Sequence, residues 1–317
     1  MAGESSINLQ PPDGSSISRV LVPFSGSPER PVIELEIDTR PTYDDFGGLD
    51  SPIEKLREIG AILNNPELAK DWSVEVPTGV LLCGPGGVGK TELIRAFSRD
   101  IGAVLIEIAV SEIQSMYIGK PNENLRRAFS NAAAVEGRVV LLFDELDGLF
   151  SEGAGGNDGM STSLISEFKT ILSSLRAVQP NTIVAGSTNS LDGFDEALLR
   201  PGRIDVVIQI PKPNDDARAR IFGCCISKDL SLYEIDNSEV QIGIMDSRVG
   251  DSPAIDVTKL AAATENMTGA DIKSILKAAR TRRLMAHIMR KEPLQRVTQD
   301  DILAAVRSHR MQRPNIS

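Results

Sequence analysis

The sequence predicts an α/β fold: a parallel sheet with helices on both faces, followed by a small all-helical domain. Three observations predict it. Short apolar runs alternate with helical patterns between residues 79 and 210, and such alternation builds parallel sheets covered by helices. Residues 139–143, Val-Val-Leu-Leu-Phe, are uninterrupted apolar, as in a strand buried on both faces. Beyond Pro211-Lys212-Pro213, a natural boundary, the pattern becomes mostly helical.

Residues 1–31 are rich in Ser, Pro and Gly and predict a mobile tail. Residues 32–38 alternate apolar and acidic side chains, as a short strand does. A glycine-bearing turn, Asp45-Phe46-Gly47-Gly48, leads to a helix over 51–63. Its apolar residues Ile53, Leu56, Ile59 and Leu63 have helical spacing, with Ser51 as N-cap. Strands are expected at 80–83, 104–109, 139–143, 182–186 and 206–210. Helices are expected at 92–99, 124–134 and 163–175, with a short one at 197–199. The C-terminal helices fall at 217–227, 257–264, 269–289 and 298–307, the last opening with Thr298-x-x-Asp301, a capping-box variant. The domains therefore read as a mobile segment over 1–42, a large α/β domain over 43–211 and a small helical domain over 212–317. Within the last, residues 229–256 carry seven acids against Arg248 and read as an acidic insertion.

The chain's 317 residues suffice for a large core or two domains. A net charge of −10 argues against a general nucleic-acid binder, which needs a basic surface. Residues 281–317 run the other way, with eight Lys/Arg against three acids, and read as a solvated helix face or a subunit contact. Cys83, Cys224 and Cys225 have no regular spacing, which points to a reducing compartment without a disulfide framework. No apolar run approaches the roughly 18 residues of a membrane span, and no signal-peptide pattern is visible. A soluble cytoplasmic protein is expected, with nucleus and organelle matrix left open.

The sharpest motif is Gly84-Pro85-Gly86-Gly87-Val88-Gly89-Lys90-Thr91, between a strand and a helix. Its glycines let successive N–H groups turn inward around phosphate oxygens. The helix N-terminus adds its positive dipole end. Lys90 supplies a point charge for β- and γ-phosphates, and Thr91 a hydroxyl for Mg²⁺. Asp144 and Glu145 end the apolar run at 139–143. There Asp144 would hold the metal through its water shell and Glu145 would polarise an attacking water. Asn189 follows a strand, where its amide would reach water and γ-phosphate; taken alone it also reads as a turn residue. Arg200-Pro201-Gly202-Arg203 places two arginines about a tight turn. They would supply positive charge to a transition state, in trans if subunits form a ring, or make surface ion pairs.

Together these residues resemble the AAA family of ATPases, in the branch of valosin-containing-protein-like and proteasomal ATPases, over residues 43–226 and 257–307. The resemblance implies a P-loop NTPase sheet with a helical lid, ATP and Mg²⁺ as cofactors, and a homo- or hetero-hexameric ring. It implies that Asp45 and Gly47 lie in a turn reading the adenine edge. Pro85, Gly86, Gly87, Val88, Gly89, Lys90, Thr91 and Glu92 then hold the nucleotide, and Thr91 and Asp144 the metal. Asp144 and Glu145 match the second nucleotide signature, and Asn189 the γ-phosphate sensor. Arg200 and Arg203 match fingers acting on a neighbour's nucleotide, and Gly269 and Ala270 the lid residues near ribose and adenine. Met116, Tyr117 and Ile118 match a pore loop whose aromatic side chain grips extended polypeptide, and residues 152–159 stand where a second pore loop would be. The implied activity is ATP-driven remodelling or unfolding of protein substrates, chaperone-like, with an adaptor in trans and no membrane or nucleic-acid partner.

Several positions depart from that pattern. Gly86 replaces a proline and Val88 a threonine, both compatible with the loop. Arg176-Ala177-Val178 stands where the family carries an Asp-Gly-Phe or Asp-Gly-Leu signalling element between subunits. Cys225 takes the place of a lid histidine. The chain has no His-Glu-x-x-His, ends Pro314-Asn-Ile-Ser317 without a hydrophobic-Tyr-x tail, and places about 42 residues before the matched region. The missing signalling element favours a second reading, an ATP-gated assembly or scaffolding partner that threads no substrate. A third, a nucleic-acid motor, rests only on the basic C-terminus.

Overall fold

A computed structural model describes residues 17–21, 33–110, 113, 121–149, 158–192, 194–229, 232–233, 255–291, 293 and 295–312. The chain divides into two compact units. The first comprises Met1–Tyr43, Pro52–Gly84 and Lys90–Gln209; the second comprises Asp44–Ser51, Pro85–Gly89 and Ile210–Ser317.

Among the described residues, seven strands lie in the first unit: β1 (Ile17–Leu21), β2 (Ile33–Ile37), β3 (Gly79–Cys83), β4 (Val104–Ala109), β5 (Val139–Asp144), β6 (Thr182–Thr188) and β7 (Val206–Gln209). They form one sheet in the order β2-β1-β4-β5-β6-β3-β7. From β4 to β7 every pairing is parallel. At the far edge β1 meets β4 in parallel at Val20 and Leu105, and pairs antiparallel with β2. β3 and β6 are buried at every residue and β5 at all but Asp144. That is why their sequences are continuous apolar runs rather than alternating ones.

Helices α1 (Asp50–Asn64), α2 (Pro66–Asp71), α3 (Lys90–Asp100), α4 (Pro121–Ala133) and α5 (Asp158–Val178) accompany these strands in the chain. α1 buries Ile53, Leu56, Ile59 and Leu63, the face its spacing predicts. Phe129 of α4, Phe143 of β5 and Phe168 of α5 pack with ring centroids 5.2–6.2 Å apart, at the heart of the sheet's core.

The second unit holds α6 (Asp215–Ser227), α7 (Val257–Ala263), α8 (Gly269–Arg290) and α9 (Gln299–Gln312) around Phe222, Tyr233, Leu260, Ile272, Ile275 and Ile302. Each helix begins on a polar cap. Asn214 accepts from Ala217 N, and Asp256 from Thr258 N and Lys259 N. Thr268 and Asp271 close a reciprocal box at α8, and Thr298 and Asp301 repeat it at α9. Arg218, almost fully buried, donates to Ala261 O, Pro213 O and Asp215 Oδ1, so its charge is paired and its N–H groups are used. Among the described residues no helix is long and apolar enough to cross a membrane.

The differences from expectation are local. β1 lies inside the stretch read as a mobile tail; its five residues are specified by pairing partners, not by composition. Ser51 is not an N-cap, because α1 already begins at Asp50. Pro52 falls in the first turn, where no N–H is needed, so the helix extends past it. The short α2 carries Pro66 at its start and was not expected. A single cut at 211/212 also misses two stretches, Asp44–Ser51 and Pro85–Gly89, which group with the helical unit.

Candidate nucleotide site

In the sheet unit the polar groups gather at the carboxyl ends of β3, β5 and β6, where ligands bind in open parallel sheets. Lys90 opens α3 and is 8% exposed. Its Nζ donates to Gly84 O at 2.7 Å and to Asn189 Oδ1 at 2.9 Å. Burial pushes the Lys90 ammonium below the usual lysine value, and the nearby Asp144 carboxylate opposes that shift. Thr91 Oγ1 donates to Asp144 Oδ1 at 2.9 Å. Ser187 Oγ donates to the same oxygen and accepts from Glu145 N at 3.1 Å. Glu145 is exposed and sits at φ +55°, a backbone region that non-glycine residues seldom occupy. The next turn is tied down by Thr188 Oγ1, which donates to Ser190 O at 2.7 Å and lies 3.2 Å from Asp147 Oδ1.

The Thr91 hydroxyl and Asp144 carboxylate are hard oxygen donors in contact. They fit Mg²⁺, which takes one or two protein oxygens and completes its shell with water and phosphate. No cluster of three His, Cys, Asp or Glu is found among the described residues. When bound, Mg²⁺ would neutralise charge on the phosphates.

In the helical unit the geometry depends on close backbone approach. Gly87 has φ +78°, and a Cβ there would lie 2.7 Å from Thr268 Oγ1 and 3.0 Å from Ala270 Cβ. Ala270 N donates to Gly87 O at 3.0 Å, and a Cβ on Gly269 would lie 3.6 Å from that oxygen. Gly48 also has φ +78°, with a Cβ position only 2.2 Å from Ala217 Cβ. A Cβ on Gly47 would lie 2.5 Å from Ile221 N. Asp45 is paired with Lys228 at 2.6 Å, so the whole turn is fastened to α6. Of the remaining loop residues Val88 is buried, while Pro85 is half-buried and Gly86 exposed. Glu92 is held by Arg95, which also clamps Glu107 at 2.6 and 2.7 Å. Burial raises the thiol pKa of both Cys224 and Cys225.

The arginine turn lies in the sheet unit. Arg200 is exposed, whereas Arg203 is half-buried and donates from Nε to Ser173 Oγ at 2.9 Å and from Nη1 to Ala197 O. Met116, Tyr117 and Ile118 lie outside the described residues, as do residues 152–157 of the second pore-loop candidate. Sequence reasoning missed Ser187, whose only trace is a hydroxyl near the end of a fully buried strand. It also missed Asp205, whose carboxylate accepts from Thr78 N, Gly79 N and Gly202 N.

The family model described as "ATPase family associated with various cellular activities (AAA)" matches residues 80–212. The proteasome-activating nucleotidase of Saccharolobus solfataricus is 31% identical over 303 residues, covering 92% of this chain and 68% of that protein. Its counterpart in Saccharolobus islandicus strain M.14.25 is 30% identical over 313 residues, covering 96% and 71%. That of Methanopyrus kandleri is 33% identical over 280 residues, covering 87% and 58%. Similarity at this level, across this much of both proteins, places the chain in the AAA family of ATPases, as an ATP-hydrolysing homologue of the proteasome-activating nucleotidases.

Proposed function

We propose that the chain works in a hexameric ring that uses ATP hydrolysis to pull on and remodel protein substrates. The observation that carries this reading is the meeting of Lys90, Thr91, Asp144 and Asn189 within hydrogen-bond distance, beside the exposed Glu145. In this reading Gly84, Pro85, Gly86, Gly87, Val88, Gly89 and Lys90 bind the triphosphate, and Thr91 and Asp144 hold Mg²⁺. Glu145 orients the attacking water and takes its proton, while Lys90 and Asn189 face the γ-phosphate. Asp45, Gly47, Gly269 and Ala270 contact the nucleoside. The arginine turn completes the site of a neighbouring copy, and Tyr117 grips the substrate. The relatives' name supports a proteasome-type partner; a cytoplasmic setting and an adaptor in trans belong to the same reading.

The test is the Glu145→Gln variant with ATP turnover and ATP binding measured separately. Turnover is expected to fall about 10²–10⁴-fold with binding retained, since general-base help is worth that much. Ordinary turnover would show that Glu145 is not the base. Turnover per subunit should also rise with protein concentration as rings form, and Tyr117→Ala should lose unfolding of a tagged substrate while keeping most ATPase activity. A rate independent of concentration, with no unfolding, would favour the scaffolding reading. One observation favours that second reading: Arg176, in place of a signalling element, is bonded within its own chain.

A further inference from the structure

The end of α5, the lead into β3 and the arginine turn form a closed circuit of hydrogen bonds. Arg176, in the last turn of α5, donates from Nη1 to Pro180 O at 2.9 Å. Its Nη2 donates to Val76 O at 3.1 Å and to Pro77 O. The two residues that follow, Thr78 and Gly79, give their N–H groups to Asp205 Oδ2 at 2.5 and 3.2 Å. The other carboxylate oxygen, Oδ1, accepts from Gly202 N, and Asp205 N returns a bond to Gly79 O at 3.1 Å. Residues 200–203 close as a turn, Arg203 N donating to Arg200 O at 3.2 Å, with Pro201 second and Gly202 third at φ +82°. That is the type II pattern. Arg203 Nε then reaches Ser173 Oγ, three residues before Arg176 on the same helix, and completes the circuit.

The circuit distinguishes the two arginines. Arg203 commits Nε and Nη1 of its guanidinium to Ser173 and Ala197 of its own chain, whereas Arg200 is exposed. A carboxylate that accepts three backbone N–H groups is a strong anchor, because such charge-assisted bonds are stronger than neutral ones. The packing leaves no slack: a Cβ on Gly79 would lie 2.7 Å from Arg203 O. The strand that starts at Gly79 ends beside Gly84 of the phosphate loop.

We propose that Arg176, Asp205 and Arg203 are positioning residues that hold the arginine turn rigidly on β3, and that Arg200 alone reaches the triphosphate bound to a neighbouring copy. This rests on the reading that the turn acts in trans. A guanidinium presented from a fixed turn arrives already oriented, which lowers the cost of aligning it in the transition state. In this chain the end of α5, which stands where the resembled family carries its signalling element, instead braces its own arginine turn.

The test uses the full-length chain, with turnover, ATP affinity and oligomeric state measured together. Arg200→Ala should lower turnover about 10³-fold at unchanged ATP affinity, the lower end of what an arginine finger supplies. Asp205→Asn, Arg203→Ala and Arg176→Ala should each lower it about tenfold, also at unchanged affinity, as misplacement of an otherwise intact group does. Each variant is then mixed with excess Glu145→Gln chain, which is inactive itself but keeps an intact arginine turn. Turnover should return in the mixture, because the neighbour's turn supplies the missing guanidinium. A merely structural defect would not be rescued in this way. Wild-type turnover in Asp205→Asn and Arg176→Ala, or loss without rescue, would overturn the positioning roles. A loss in Arg203→Ala as deep as in Arg200→Ala, with rescue, would show that both arginines cross the interface. Failure to rescue Arg200→Ala itself would instead refute action in trans. If Asp205→Asn does not fold, Ser173→Ala removes Arg203's contact with α5, together with the hydroxyl's own bond to Lys169 O within that helix. It should cost roughly two- to threefold, about the worth of one modest hydrogen bond, and be rescued in the same mixture.

Discussion

In the sheet unit, side-chain hydrogen bonds of 2.9 Å join Lys90 to Asn189 and Thr91 to Asp144 beside the ends of three strands. In the helical unit, Gly47, Gly48 and Gly87 matter for what they lack, since a methyl on any of them would meet a neighbouring atom at 2.2–2.7 Å. The first arrangement depends on charge and donor geometry, and the fold beneath it is held by an apolar core that does not need those charges. The second depends on volume, and its glycines are part of what holds the unit together. Removing a polar group should therefore abolish chemistry and spare stability in one place. Adding a carbon should damage stability before chemistry in the other.

Among the variants that test this contrast, Lys90→Ala should have the largest effect. Turnover should drop about 10²–10³-fold, as removal of a preorganised donor does, with the melting temperature nearly unchanged. A large melting shift would mean that Lys90 is structural and would erase the contrast. Gly48→Ala should act the other way, destabilising the protein by about 2–3 kcal/mol through the Ala217 clash and the left-handed backbone. Denaturant unfolding would measure it. Gly87→Ala should cost less, about 1–2 kcal/mol, because its nearest obstacle is the end of a side chain, Thr268 Oγ1, rather than a helix's own Cβ and backbone. Equal losses at Gly48 and Gly87 would show that backbone conformation, not volume, sets the penalty.

The smallest effects should come from the two capping boxes, at about 1 kcal/mol each for Asp271→Asn or Asp301→Asn. Burial raises both carboxyl pKa values. It is outweighed by hydrogen bonds from Thr268 and His309 to Asp271, and from Thr298 and Arg283 to Asp301, so both end below the ordinary aspartate value. A depressed carboxyl pKa means that the unfolded chain binds more protons in that window. The stability these groups contribute is thus present above about pH 4 and lost as pH falls further, through the folded values. The double variant should flatten the acid limb of a stability–pH curve. An unchanged limb would assign it to other carboxylates.

Much of the fold was legible because its signals are local. The buried runs of β3, β5 and β6, the apolar face of α1 and the box at Thr298 each sit within a few residues of chain. The candidate site was legible in part for the same reason: Gly84, Lys90 and Thr91 are close neighbours in sequence. β1 was not legible, since Ile17–Leu21 has no distinctive composition and acquires its state from partners on two other strands. Arg176 registered only as a broken family pattern, and nothing in its surroundings in the chain announced that its guanidinium would be used on Val76, Pro77 and Pro180.

By itself the sequence determined that this chain would bind a nucleoside triphosphate on a parallel sheet. A glycine-rich turn between strand and helix can be specified by adjacent residues, and so can an acid pair ending a buried strand. Only the tertiary structure decided how these parts are braced. Ser187 meets Asp144 across 43 positions, Arg176 meets Val76 across 100, and Asp205 meets Thr78 across 127. Hydrogen bonds of that range depend on strand order and on where the chain turns back, which no local pattern encodes. The phosphate loop could be read directly. The clamp that fixes the arginine turn to the same strand existed only once the chain had folded.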